Sequence, residues 1–180
     1  MVEKIIIAGA GGQGVMLLGK MLAWAGLKKG YKVSWFPTYG AEVRGGAAHC
    51  MVIISSEDIP SPYIDKADTL IIMNEPSMLK FRQRIKNKGL LLTNSSLVTS
   101  ARPKCNNNIY LPFTEAAIGL GDIKVANVIA LGAYITKRKI LNKQAVFAAI
   151  EEIAPAEKKD LIEINKQAVE KGIRLANDAS

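Results

Sequence analysis

Histidine and cysteine, the side chains that most often hold metals and redox centres, are nearly missing: the 180 residues include one histidine, His49, and two cysteines, Cys50 and Cys105. Neither cysteine belongs to a C-x-x-C pair, so this chain cannot alone build an iron–sulfur or zinc framework. Any redox centre has to come from a cofactor or a partner. Aromatic residues are scarce as well, at 6%. The densest basic runs, KFRQRIKNK (80–88) and TKRK (136–139), lack the interleaved aromatics of a base-stacking surface and read as solvated helix ends, which sets nucleic acid aside as a partner. No apolar run is long enough to cross a membrane. The opening MVEKIII places an acid and a base before a short apolar segment, unlike a signal peptide, so a cytoplasmic chain with no membrane partner is expected.

What is present is a large apolar fraction, 49%, enough to bury a substantial core in one domain over residues 1–180. The net charge of +8 favours acidic partners, such as a nucleotide phosphate or an acidic protein. Ile5 to Gly9 reads as a strand buried on both faces. Val15, Leu18, Leu22 and Ala25 then recur at helical spacing up to Gly30. YKVSWF (31–36) reads as a strand stopped by Pro37, and AAHCMVIIS (47–55) as a third, with the glycine-rich loop PTYGAEVRGG between them. TLIIMN (69–74), GLLLTN (89–94) and NIYLP (108–112) complete the strands, with a helix from Pro76 after the first of these. Helices are expected over 125–137, 142–154 and 157–177. This alternation predicts a three-layer, Rossmann-like α/β domain with helices on both faces of a mostly parallel sheet and a helical C-terminal third. Only a loop joins the second and third strands, so the third can run antiparallel and make the sheet mixed.

The segment IIIAGAGGQGVMLLGKMLA (5–23) places Gly9, Gly11 and Gly14 in a G-x-G-x-x-G pattern between strand and helix. Such spacing serves a tight turn, close approach of backbone to an anion, and a helix N-terminus facing it, or merely close strand-to-helix packing. A nicotinamide site needs an acidic residue about 20 residues on, at the end of the second strand. That strand ends in Ser34, Trp35, Phe36 and Pro37; Glu42 comes too late, and Arg44 is likewise displaced into the loop. A nicotinamide cofactor is therefore discounted.

GAGGQG, followed by TYGAEVRGGAAHCMVIIS, resembles the gamma subunit of the 2-oxoacid:ferredoxin oxidoreductases. In that family a G-x-G-G-Q-G turn precedes a Y-G-x-E-x-R-G-G loop, matched here by Gly9, Gly11, Gly12, Gln13 and Gly14 and by Tyr39, Gly40, Glu42, Arg44, Gly45 and Gly46. Asn127, Leu131, Gly132, Asn165 and Gly172 fall in register with the family's C-terminal helices. The resemblance implies one essential, non-catalytic piece of an enzyme that oxidatively decarboxylates a 2-oxoacid, 2-oxoglutarate first among them, to an acyl-coenzyme A while reducing ferredoxin. It implies alpha and beta subunits as partners, with a ferredoxin-like subunit beside them. Thiamine diphosphate would lie between alpha and beta, and the iron–sulfur clusters in other subunits. The glycine turn and the loop bearing Tyr39, Glu42, Arg44, Gly45 and Gly46 are the candidate cofactor-binding residues. Arg44 or backbone N–H groups would meet coenzyme A phosphates or a neighbouring subunit, or Glu42 and Arg44 would only pair to fix the loop. The competing reading is a stand-alone nucleotide-binding module of Rossmann type.

His49 reads as a packed or interface histidine, and Trp24 and Trp35 as core or interface anchors. Asn94, Ser95 and Ser96 suit either an anion or a turn. An exposed aromatic and apolar patch near Trp35 and Tyr39 is expected of a subunit.

Overall fold

The computed structural model describes residues 1–39, 47–99, 107–154 and 159–179, with Tyr39 and Lys159 described by backbone only. In chain order the elements are β1 (Val2–Ala10), α1 (Val15–Lys28), β2 (Lys32–Tyr39), β3 (Ala47–Ser55), β4 (Ala67–Ile72), α2 (Glu75–Phe81), β5 (Ile85–Asn94), β6 (Asn108–Leu111), α3 (Phe113–Gly119), α4 (Ala126–Arg138), α5 (Lys143–Ile153) and α6 (Lys159–Asp178). The strands form one mixed sheet in the order β2-β3-β1-β4-β5-β6. β1, β4, β5 and β6 run parallel to one another, and β3 is antiparallel to both β1 and β2. The loop-only connection between β2 and β3 is what permits that reversal.

Ile5, Ile6, Ile7 and Ala8 of β1 are fully buried, as a central strand covered on both faces requires. The two cover layers are unequal. Ile5 and Ile7 join a core made with α1, α3, α4, α5 and α6. Ile6 and Ala8 cluster with Met51, Ile64, Met78, Phe81 and Val98, so among the described residues the opposite face is covered by the short α2 and by irregular chain. Helices do lie on both faces as expected, but among the described residues five lie on one and one on the other.

Several elements differ from the sequence reading: β4 spans Ala67–Ile72 and β5 begins at Ile85. β2 does not stop before Pro37; it continues to Tyr39, with Pro37 opposite Cys50. β2 is an edge strand, where a missing ladder N–H is tolerated. A helix not anticipated, α3, begins at Phe113, which is buried with Ala117 against the main core. Its seven residues are too few to show a periodic pattern.

The end of the sheet opposite the glycine turn is fixed by a buried ion pair. Glu3, 2% exposed, accepts hydrogen bonds from Thr69 Oγ1 at 2.6 Å and Arg138 Nε at 2.8 Å, and a further one from Arg138 Nη2. Arg138 stands in the last turn of α4, where a cation also complements the helix dipole.

Candidate functional site

The connection leaving β1 leads to one side of the sheet and β4 begins the other, so the strand order turns between β1 and β4. Open α/β sheets bind ligands in the crevice at the carboxyl ends of strands at such a point. The glycine turn lies there. Gly12 and Gly14 have φ of +94° and +69°, the left-handed region that only glycine enters without strain. Gly14 forms the start of α1.

Gln13 ties the two lips of the crevice. Its Oε1 accepts the N–H of Ala10 at 2.8 Å, and its Nε2 donates to the carbonyl of Met73 at 3.2 Å. A side chain at Gly9 would sit 2.8 Å from Gln13 Oε1 and 2.9 Å from Val15 Cγ2, so Gly9 leaves the room in which Gln13 folds back. Asn127 secures the far side. It is buried in the first turn of α4 and donates from Nδ2 to the Gly14 carbonyl at 3.0 Å. The glycine motif therefore packs α1 against α4 through an amide, which is the third glycine's role in such turns.

A Gly14→Ala substitution would combine a left-handed alanine with a methyl group driven into the Asn127 amide. We expect a loss of about 2–3 kcal/mol in chemical denaturation. Gly14→Ala with Asn127→Ala should cost less than the two single losses added, because the double variant removes the collision. Strict additivity would show that the two residues do not interact.

Above the turn lies a recess of about 140 Å³ lined by Gly12, Gln13, Met73, Leu97, Thr114, Ile123, Lys124 and Ala126. The long helices α1 and α4 both begin beside it, and Lys124 adds a cation, so the electrostatics favour an anionic group. Thr114 is placed by Asn94: Asn94 Nδ2 donates to Thr114 Oγ1 at 2.8 Å and to the Met73 carbonyl at 3.1 Å, and Asn94 Oδ1 accepts the Thr114 N–H. Asn94 is thus a positioning residue under the recess. Ser96 Oγ accepts the Glu115 N–H. Ligand sites for whole small molecules occupy roughly 300–1,000 Å³, so this recess holds a fragment, such as one phosphate or one ring. Among the described residues, those lining this recess do not enclose a whole thiamine diphosphate or coenzyme A. Among the described residues no three His, Cys, Asp or Glu side chains come together as metal ligands.

Of the sequence-based candidates, Gly9, Gly12, Gln13 and Gly14 are brought together here, and Gly11 is an exposed member of the same turn. Glu42, Arg44, Gly45 and Gly46, with the Tyr39 side chain, lie outside the described residues. Ala47, which follows them, pairs with Ala10 at the start of the turn. The loop joins β2 to β3, and β3 separates β2 from β1, so the two motifs do not sit on adjacent parallel strands. Sequence reading did not single out Met73, Leu97, Thr114, Ile123 or Lys124. The one available signal was an isolated isoleucine between Asp122 and Lys124 in a turn, a costly place for an apolar side chain that meets nothing.

Cys50 is no ligand. Its thiol donates to the Val15 carbonyl at 3.4 Å, and burial pushes its pKa up to about 12. Trp35 borders Cys50 where α1 crosses: a side chain at Gly19 would meet Cys50 Sγ and, at 2.9 Å, Trp35 Nε1. Trp35 and Phe36 are nevertheless 37% and 42% exposed. Trp35 and Phe36 lie on opposite faces of the edge strand β2, and the Tyr39 side chain expected beside Trp35 lies outside the described residues; Leu97 and Ile123 add apolar surface to the recess, at 42% and 56% exposure.

His49 packs on Phe81, with ring centroids 4.8 Å apart. Burial first, then Lys80 and Arg84, hold its pKa below the ordinary histidine value. In the unfolded chain it takes up a proton near about pH 6.5 while the folded chain does not. Stability carried by neutral His49 is therefore full above that value and falls as pH descends toward the lower folded pKa. Between about pH 7.5 and 5.5 the wild type should lose more thermal stability than His49→Gln. Parallel losses would remove histidine from the acid response.

A sequence profile of the pyruvate ferredoxin/flavodoxin oxidoreductase family matches residues 4–175. The chain is 32% identical over 175 residues to ketoisovalerate oxidoreductase subunit VorA of Methanothermobacter thermautotrophicus, covering 97% of this chain and 36% of VorA. It thus spans about a third of that relative's length. It is 34% identical over 182 residues to 2-oxoglutarate synthase subunit KorC of Methanocaldococcus jannaschii, covering 98% of this chain and 95% of KorC. The crystal structure of a keto/oxoacid ferredoxin oxidoreductase gamma subunit from Geobacter sulfurreducens superposes with a TM-score of 0.87 at 29% identity, over 99% of this chain and 98% of that one.

Proposed function

Because the chain belongs to the pyruvate ferredoxin/flavodoxin oxidoreductase family, as a unit of its gamma type, we propose that it is the gamma subunit of a cytoplasmic 2-oxoacid:ferredoxin oxidoreductase. Residues 1–180 act as one domain in that role. The observation that carries the reading is the recess at the glycine turn: too small to enclose a whole cofactor, yet lined by the exposed apolar side chains Leu97 and Ile123. A partner surface that covers these side chains would both bury them and complete the cleft. The turn and the Glu42–Arg44 loop face the active-site region of the assembly, where backbone N–H groups, Lys124 and Arg44 meet phosphates of coenzyme A. Thiamine diphosphate and the iron–sulfur clusters belong to the larger subunits. The near full-length match to KorC favours 2-oxoglutarate as substrate over ketoisovalerate.

The test is an anaerobic pull-down from native lysate with this chain tagged, assaying the eluate for coenzyme-A-dependent viologen reduction by 2-oxoglutarate and by ketoisovalerate. Larger subunits and 2-oxoglutarate activity should co-elute with the wild type. Ile123→Asp, a change at an exposed position, should fold normally and recover at most about a tenth of the partners. A solitary chain that binds an adenine nucleotide saturably would favour the stand-alone nucleotide-binding module instead.

A further inference from the structure

The thinly covered face of the sheet carries a cluster that the proposed function does not use. Three basic groups surround the Phe81 ring: the His49 imidazole at 4.8 Å between centroids, the Lys80 ammonium at 5.6 Å and the Arg84 guanidinium at 5.9 Å. Arg84 also lies 5.3 Å over the Tyr63 ring and donates to the main-chain oxygens of Asp65, at 3.1 Å, and Ile64. Its charge is therefore held in place. Among the described residues no carboxylate forms an ion pair with His49, Lys80 or Arg84. Burial first, and then the charges of Lys80 and Arg84, lower the His49 pKa.

Apolar surface adjoins the cluster. Thr38 stands opposite His49 and Phe36 opposite Met51, so Phe36 is the diagonal neighbour of His49 on one sheet face. Phe36 and Tyr63 are 42% and 58% exposed. The combination of aromatic residues, arginine and unpaired charge is the composition that marks protein interfaces.

We propose that this patch docks an acidic segment of another protein, with carboxylates meeting Lys80, Arg84 and His49 and an apolar side chain lying on Phe36 and Tyr63. A small anion is a poorer occupant. On so open a surface it keeps its water, and salt screens its attraction within about 8–10 Å. A protein segment brings its own apolar cover, which excludes water and strengthens the same charge pairs. A nucleic acid is also disfavoured, because Phe81 is buried and Tyr63 already lies under Arg84, leaving Phe36 as a lone free ring rather than the successive aromatics that stack a strand of bases. The proposal does not depend on which complex the chain enters.

His49 is the sole histidine, so its imidazole NMR signal reports this site alone. The experiment adds a synthetic peptide of repeated Glu-Glu-Glu-Phe units to the labelled full chain. The His49 signal should move saturably, and its titration midpoint should rise, because a nearby carboxylate favours the imidazolium. Lys80→Glu should weaken binding about tenfold, whereas Lys20→Glu, the same charge change at an exposed position on α1, should not. A His49 signal unmoved by the peptide, or equal weakening by both variants, overturns the proposal. So does inorganic phosphate or oligouridylate moving His49 at a lower concentration than the peptide, which would make the patch a phosphate or RNA site.

Discussion

Gly172→Ala is expected to lower stability by about 3 kcal/mol, although alanine normally strengthens a helix by about 1 kcal/mol over glycine. α4 and α6 cross with their backbones in contact. A Cβ at Gly172 would land on the Ile129 carbonyl oxygen and 3.0 Å from the Ala133 nitrogen, and one at Gly132 would land on the Val169 carbonyl oxygen and 3.1 Å from Gly172 Cα. No rotamer change can relieve a collision with backbone, so the helices must separate and their buried residues lose packing. For a chain of this size the loss corresponds to roughly 6–12 °C in Tm. The control is Gly119→Ala, at the end of α3, where an added Cβ meets nothing within 4 Å. The same chemical change there should leave Tm unchanged or raise it. In the double variant Gly132→Ala/Gly172→Ala the second alanine should cost less than the first, because one separation accommodates both. Equal losses at Gly119 and Gly172 would mean that the crossing is looser than described.

Arg138→Ala should cost about 3 kcal/mol, at the low end for breaking a buried ion pair because the guanidinium is partly solvated. The loss comes from what is left behind. Glu3 keeps only the Thr69 hydroxyl, in a region where Tyr134 is fully buried and its ionisation is pushed well above the usual phenol range by burial and by the Glu3 charge. Arg138→Lys should recover only part of the loss, since one ammonium cannot reproduce the two-pronged contact of Nε and Nη2 with both Glu3 oxygens. Replacing both partners, Glu3→Leu with Arg138→Met, should be less damaging than either single change, because no charge is then left unpaired. Urea denaturation of the set checks this. A double variant as unstable as the sum of the singles would show that Glu3 and Arg138 contribute independently and that no unpaired charge is behind the single losses.

The parts of this fold that were legible in the sequence are those where local pattern and burial agree. The β1–turn–α1 unit could be read from a β-branched run, a glycine cluster and helical spacing, and α4, α5 and α6 from periodicity, each within two residues of its observed bounds. The antiparallel β3 followed from the lack of room for a crossover helix. What local pattern could not reveal depends on neighbours. Pro37 sits inside a strand only because β2 is an edge, and the polar stretch Lys86–Lys88 joins β5 only through an irregular pairing near Ala67 and Thr69. At the site, the glycines were visible but their purpose was not. Gln13 and Asn127 act through partners 60 and 113 residues away, and Asn94, which could have served an anion or a turn, is committed to holding α3 and β4. Gly132 and Gly172 matched the family pattern with no local reason, since neither has a positive φ. Their reason is the crossing itself.

The strand order also dictates the sequence of events as the chain folds. β2 and β3 are joined by a short loop and can pair early, but β1 pairs with β3 nearly fifty residues later and with β4 over sixty residues later, as Ile5 meets Val52 and Thr69. Each of those closures pays a loop entropy that local hairpins do not. The crevice between β1 and β4 is thus framed by the least local strand pairing of the sheet, and Asn127 can lock the glycine turn only after α4 has been synthesised. A partner that recognises this end of the sheet would therefore meet its surface complete only on a chain whose C-terminal helices have already docked.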